Sequence, residues 1–480
     1  MQEGQTDGGG RIGPILYLRG CDRERLRLAA LVVTPEGEGT PPALETDAGP
    51  VSPERIWQCG GRDVLRYSFD LPATAGAAYR FDGESFEVAA DLSGDLHIGF
   101  VSCNGQEHGD LSRPGDERNL MWRRLAERHR DRPLNLLLHG GDQLYADEVT
   151  EAHPLATGWP KAVPQNLRED TTAELSAALS EAFFERYTEQ LAQPGFAWLA
   201  ARVPSLAMWD DHDICDGWGS LKERKLDSPL GRALFAAARD HFLIFQFAAA
   251  PGEVPEICSD RSGQSLGWRV EIPGATLLAP DLRSERRPER VMGEAGWRAF
   301  RADLASVREG RVLLVSSVPA LGPRLSIVER LMKLTPWMEK YEDDLRDQWQ
   351  SRWHREEWRD FLRALVAVHE RPGCRVSLLS GEIHLATRGT MKTAEGDIHQ
   401  LVASGISHPA PPGAYATVLG VLARFGEAPL PRHPIRLHPL PGQGGVYAAE
   451  RNFLRLERNA DTWTAVWELE DSGPTAPMPL

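Results

Sequence analysis

An α/β core preceded by a small antiparallel β-sandwich is the expected fold class, and three observations predict it. Residues 12–92 carry short β-type runs separated by Pro, Gly and acidic clusters. From about residue 95, short apolar runs end abruptly in polar clusters. Amphipathic helical stretches lie between several of those runs. Buried strands alternating with helices define an α/β core, and chemistry in such cores gathers in the loops just beyond the strand ends.

Taken in chain order, residues 1–11 are polar and glycine-rich and are expected to be disordered. The runs GPILYLRG, LRLAALVVT, VLRYSFDL, AAYRFDG and SFEVAADL within 12–92 are spaced as the strands of a small sandwich. A catalytic unit is expected over 95–470. Its strand candidates are LHIGFVSCNG, LNLLLHGGDQLYADE, SLAMWDDHDICDGWGS, ATLLAPDLRSER, RVLLVSSVPALGP, RVSLLSGEIHLA and HQLVASGISHP. Helical periodicity marks Thr172 to Leu191, Gly231 to Phe247, Ala295 to Arg308 and Trp353 to His369. Residues 158–170, 409–413 and 428–442 read as loops near or over the site. Strand character returns over 432–468, closing the sheet or adding a small β unit, and 471–480 is expected to be a loose tail.

The 480-residue length exceeds one ordinary compact core, and a hydrophobic fraction of 41% with 14 Trp supplies ample surface to bury. A formal charge of -15 argues against a stable nucleic-acid partner, because such binding rests on neutralising phosphates with Lys and Arg. Cys21, Cys59, Cys103, Cys215, Cys258 and Cys374 show no CxxC spacing, so neither a zinc ribbon nor a disulfide framework is expected. No basic-then-apolar leader and no long apolar run is visible. Residence in the cytoplasm, without a membrane span, is therefore the default expectation.

Three segments carry the candidate chemistry. In HGGDQLYAD, Gly140 and Gly141 permit a tight turn that puts Asp142 at a strand end. Its carboxylate there can bridge two cations, or it can cap an Asx-turn together with Asp147. In Trp209-Asp210-Asp211-His212-Asp213-Ile214-Cys215-Asp216, clustered carboxylates repel one another unless a cation or a solvated loop relieves them. The apolar SLAMW before the cluster and the rigid GWG after it favour the cation. In Ser380-Gly381-Glu382-Ile383-His384, an extended chain would put Glu382 and His384 on one face, although His384 also reads as a core histidine. Arg283 and Arg286, in DLRSER, suit bidentate capture of phosphate oxygens or a surface ion pair. Cys103 alone leans toward an apolar filler. The sequence contains no GxxxxGK[ST], GxGxxG after a strand, or HExxH.

In this order, VSCNG, HGGDQLYAD, WDDHDICDGWGS, DLRSER, VSSVP, YEDDLRDQW, SGEIH, SGISHP and ERNF resemble the PhoD-like branch, or alkaline phosphatase D type, of the metallophosphoesterase (calcineurin-like phosphoesterase) superfamily. The resemblance spans roughly residues 95–456. It implies a two-layer β core flanked by helices behind an N-terminal β-sandwich. It further implies a multinuclear metal centre of Fe3+ with Ca2+, with Mn2+ or Zn2+ as alternatives, and a small-molecule phosphoester as substrate. Carried residue by residue, it turns Cys103 into a metal ligand and Asp142 into the bridging aspartate. Tyr145 becomes a phenolate favouring ferric iron, and Asp211 falls where the superfamily has a metal-binding Asn. His212 takes the position of a catalytic His, and His384 that of the final His ligand. The family often has Asp where this chain has Glu382, whose extra methylene lengthens the reach of a ligand carboxylate.

The expected activity is phosphomonoester or phosphodiester hydrolysis by a metal-activated hydroxide. His212 would protonate the leaving oxygen and Arg283 would hold phosphoryl oxygens, while Asn104, Arg286 and His408 are expected to contact substrate. The alternatives are a phospholipase D-type phosphodiesterase and a catalytically degenerate protein that only binds a phosphorylated ligand.

Overall fold

The computed structural model of the protein describes residues 10–37, 41–106, 108–322, 348–424 and 426–480. The expected disorder of 1–11 falls largely outside them, as do residues 341–347 of YEDDLRDQW. Within the described residues, two large sheets face one another. The first has at its centre the parallel strands Leu96–Val101, Leu136–Gly140 and Ser205–Met208, flanked by the antiparallel pair Asn452–Asn459 and Thr462–Leu469. The second aligns Ala275–Ala279, Gly310–Ser316, Cys374–Ser380 and Gly396–Val402 in parallel, with Trp268–Ile272 antiparallel at one edge. The central strands are almost wholly buried, as their continuous Leu, Val and Ile runs require of parallel strands covered on both faces. Two indoles bridge the layers: Trp268 Nε1 donates to the Ala207 carbonyl at 2.7 Å and Trp467 Nε1 to the Val402 carbonyl at 2.9 Å. The mixed α/β architecture with a two-layer β core is the one expected.

Helices cover both outer faces at the positions read from periodicity. Ser228 accepts the Gly231 N–H at 3.0 Å, capping the helix Pro229–Phe247 with Pro in its first turn. This helix packs on Glu169–Leu191, where Tyr187 and Phe245 stack at 4.8 Å. The helix Arg355–His369 buries Trp358, Phe361, Leu362 and Leu365, one face at 3.6-residue spacing, with Phe361 stacked on Phe300 of Glu294–Ser306 at 5.1 Å. No described helix is long and apolar enough to cross a membrane.

The N-terminal strands do form two facing layers, joined by Tyr67 on Phe81 and Phe69 on Tyr79, each at 5.5 Å. They do not form a body separate from the catalytic sheet. Ile12–Cys21 pairs in parallel with Ser205–Met208, Tyr17 opposite Ser205, so one sheet runs across the expected boundary near residue 92. The expected loose tail is also paired, with Met478 and Pro479 opposite Ala465 and Thr464. The expected loop 428–442 contains most of the strand Glu427–Leu430 and all of His433–His438. All six cysteines are unpaired.

His241 makes the stability of this fold pH-dependent. It lies buried among Phe183, Phe184 and Phe245; its Nδ1 meets the Ala237 carbonyl at 2.8 Å and its Nε2 has no hydrogen-bond partner. Burial pushes its pKa down to about 4. Between about 6.5 and about 4 the unfolded chain binds the proton that the folded chain refuses, so stability is complete above this window and falls as pH falls through it. His241→Phe should match wild type at pH 7.5 and exceed it by about 2 kcal/mol at pH 5. Thermal midpoints at the two pH values check this, and a constant difference between the proteins would refute it.

Candidate metal centre

Every candidate segment begins where a parallel strand of one of the two sheets ends: Cys103 after Leu96–Val101, Asp142 after Leu136–Gly140, the 209–216 cluster after Ser205–Met208, and Glu382 and His384 after Cys374–Ser380. The turns are tight. Gly141 has φ +104°, and a Cβ there would lie 2.8 Å from Asp210 Cβ and 3.0 Å from Ser317 Cβ, so only glycine lets the two sheets close here. Cys103, Asp142, Glu382 and His384 all have φ between +52° and +69°, four of the nine described non-glycine residues in that region. Such conformations cost about 1–3 kcal/mol each and persist where the surrounding structure enforces them.

The geometry gathers two groups that share Asp142. Ligand atoms of Cys103, Asp142 and His384 lie within 4.8 Å of one another, and so do those of Asp142, Asp210 and Asp211. Cys103 Sγ stands 3.4 Å from Asp142 Oδ2. Tyr145 joins the first group, its hydroxyl 2.7 Å from His384 Nε2. His408 lies flat on His384 with centroids 3.7 Å apart, and Tyr145 is stacked between His212 at 4.2 Å and His408 at 5.2 Å.

Electrostatics follow from burial and crowding. Burial, then the charge of Asp210, hold the Asp142 carboxyl well above the ordinary carboxylate range. Burial and the Asp142 charge push the Cys103 thiol up, and burial pushes the Tyr145 phenol up. Burial, then His408 and His212, hold His384 neutral. Burial opposes a charge on His212 as well, but Asp147 and Asp211 outweigh it and favour the imidazolium.

A layer of residues behind the site fixes these groups. Asp213 accepts the N–H groups of Asp142 at 2.9 Å, Asp210 at 2.9 Å and Leu144 at 3.0 Å. Asp147 Oδ2 holds His212 Nδ1 at 2.8 Å. Ser404 Oγ accepts the His384 N–H at 2.7 Å and stands 3.1 Å from Cys103 Sγ; the Ser404 backbone is in turn clamped by Asn452. The sequence assigns no individual role to Asp213, Ser404, Asn452 and Asp216, which groups with Asp211 and His212, and offers Asp147 only as a turn cap. Their signals were present as carboxylates in the two acidic motifs and as the polar residues of SGISHP and ERNF.

Four expected contributors are engaged differently from expectation. Glu382 belongs to no candidate ligand group among the described residues; the Gln348 amide donates to its two oxygens at 2.7 and 2.8 Å. Arg283 is fully buried rather than open to a phosphate. Its Nε donates to Asp210, a second nitrogen lies 3.4 Å from Asp211, and a third donates to the Trp218 carbonyl at 3.2 Å. Arg286 is buried against Gly219. Asn104 Oδ1 accepts from Trp122 Nε1 at 2.7 Å and Ser407 Oγ at 3.0 Å, which commits it to the scaffold.

Asp142, Asp211, His212, Asp216, Glu382 and His384 line one side of a pocket of about 270 Å³, and Tyr415, Leu419, Leu437 and Tyr447 form its apolar wall. Among the described residues, no Lys or Arg lines it. The donor set suits cations: Asp142 Oδ1 is buried without a hydrogen-bond partner, between a sulfur-and-imidazole group and a carboxylate group.

Comparison with known proteins bears on the fold and the family. A solved structure described as "Structure of PhoD" superposes with a TM-score of 0.59 at 12% identity, covering 98% of this chain and 88% of that one, a likeness of fold. "Uncharacterized protein YGR266W" of Saccharomyces cerevisiae is 24% identical over 486 residues, covering 82% of this chain and 68% of that protein. Residues 102–342 match the family described as PhoD related phosphatase, and the chain belongs to that family.

Proposed function

We propose that this chain hydrolyses phosphoesters at a multinuclear metal centre. The observation that carries the proposal is the position of Asp142, whose carboxylate belongs to both ligand groups and has one buried oxygen without a protein partner. Cys103, Tyr145 and His384 would hold a ferric ion on one side of Asp142. Asp210 and Asp211 on the other side suit a harder divalent cation such as Ca2+, with Mn2+ or Zn2+ as alternatives. When bound, such ions supply a nucleophilic hydroxide from water at neutral pH and Lewis acidity toward the phosphoryl oxygens.

The chain's own residues do the remaining work. With Nδ1 tied to Asp147, His212 has Nε2 left to give a proton to the leaving alcohol oxygen as its bond to phosphorus breaks. Arg283 acts as a positioning residue that holds Asp210 and Asp211 together against their repulsion. The phosphoryl charge meets no Lys or Arg among the described lining residues, so its neutralisation falls to the cations. The wall of Tyr415, Leu419, Leu437 and Tyr447 suits an apolar group on the esterified alcohol.

Chelator-stripped protein should lose activity on aryl phosphate monoesters and diesters, and reconstitution with iron plus calcium should restore it. A protein inactive on both ester types after reconstitution with iron, calcium, manganese and zinc in turn would sink the proposal. Saturable phosphoester binding without product would identify a degenerate binding protein instead.

A further inference from the structure

The helix Gly413–Ala423, GAYATVLGVLA, contains no charged residue. A surface helix ordinarily turns a polar face to water. Here one side faces the pocket through Tyr415 and Leu419, and Ala416 and Ala423 pack with Leu385 and Tyr447. The opposite side presents Ala414, Thr417, Val418 and Val421 at helical spacing, with Val418 60% and Val421 50% exposed. Among the described residues only one other large hydrophobic side chain is comparably exposed, Trp353 at 52%. It belongs to the same rim: Arg355, two residues on, pairs at 3.3 Å with Glu427 just beyond the helix, and the Arg352 guanidinium lies 5.1 Å from the Trp353 ring centroid.

The charge of residues 409–442 along this rim is opposite to that of the whole protein. The whole chain carries -15, yet residues 409–442 contain Arg424, Arg432 and Arg436, all exposed, against the single acid Glu427, which is largely buried and paired. Aliphatic side chains, a Trp and flanking guanidinium groups together suit the boundary between acyl chains and anionic headgroups. The rest of the acidic surface would be repelled by such a boundary, which favours this orientation. We propose that the chain docks on an anionic lipid surface through the outer face of the helix Gly413–Ala423, Trp353 and these arginines, bringing the pocket mouth against the headgroups. This docking is independent of the phosphoesterase reading.

Co-sedimentation of the full chain with vesicles tests the docking without reference to activity. Binding should require phosphatidylserine in phosphatidylcholine vesicles and should weaken with added salt. Val418→Asp combined with Val421→Asp, and separately Arg424→Glu combined with Arg436→Glu, should each weaken binding about tenfold or more. Hydrolysis of a soluble aryl phosphate and the thermal midpoint should stay at wild-type values in both. No vesicle binding, or equal binding by wild type and both double variants, overturns the proposal. So does concentration-dependent self-association that the Val substitutions abolish, since a second copy then covers the face. A marked loss of thermal stability in the Val variant with unchanged binding by Trp353→Ala also overturns it, because the face is then covered within the chain.

Discussion

Asp142→Asn should reduce phosphoester turnover about a thousandfold or more while leaving the fold intact, the scale expected from losing about 4 kcal/mol of charge stabilisation in the transition state. Asn preserves the shape of a side chain whose backbone is held by Asp213 and by the Asn104 N–H, which donates to the Asp142 carbonyl at 2.8 Å. The stability effect should reverse sign with metal. In stripped protein the Asp142 charge is unfavourable, because it is buried and then because Asp210 repels it, so the variant should melt at or above the wild-type temperature. With iron and calcium present, ligand binding to the native state alone should raise the wild-type midpoint and leave the variant nearly unmoved. Parallel melts of both proteins with and without metals, beside a turnover assay, read both effects. Full activity in the variant, or an equal metal-induced rise in both proteins, would remove Asp142 from the bridging position.

The segments that form the centre were legible because each is a polar cluster ending an apolar run, and parallel strands deliver their carboxyl ends to one side of a sheet. The use of each side chain was less legible, and Glu382 shows why. The expectation that Glu382 and His384 share a face assumed extended backbone between them, where alternate residues point the same way. With φ of +69° and +52° the alternation fails, and Glu382 meets Gln348 while His384 meets Tyr145. Arg283 was misread for a different reason. Its partner Asp210 is 73 residues away, and nothing in DLRSER reveals that a carboxylate from another sheet takes up its guanidinium. The fusion of the N-terminal strands to the catalytic sheet is likewise non-local, since the run GPILYLRG carries no record of the strand it pairs with. The helix Gly413–Ala423 escaped notice because a segment apolar on every side has no amphipathic period to detect.

Asp213 carries the second large expected effect, and it concerns stability before chemistry. Its two oxygens accept three backbone N–H groups from the loops that present Asp142 and Asp210, inside a region with no solvent to replace them. Burial pushes its carboxyl up to about 7 even though those donors favour the charged form. Asp213→Ala relieves that desolvation but leaves three buried donors without an acceptor, each costing about 1–3 kcal/mol. The donors outweigh the relief, so the variant should lose about 4 kcal/mol in urea unfolding. Because the orphaned N–H groups belong to Asp142, Leu144 and Asp210, both ligand groups should loosen together. Metal affinity should then fall for the thiol-containing and the carboxylate group alike, in contrast to a lost ligand, which would spare one of them. An alanine variant that unfolds with wild type and binds metal normally would show that the acidic loop is held by other contacts, with Ser317 Oγ on Asp210 at 2.8 Å as the next candidate.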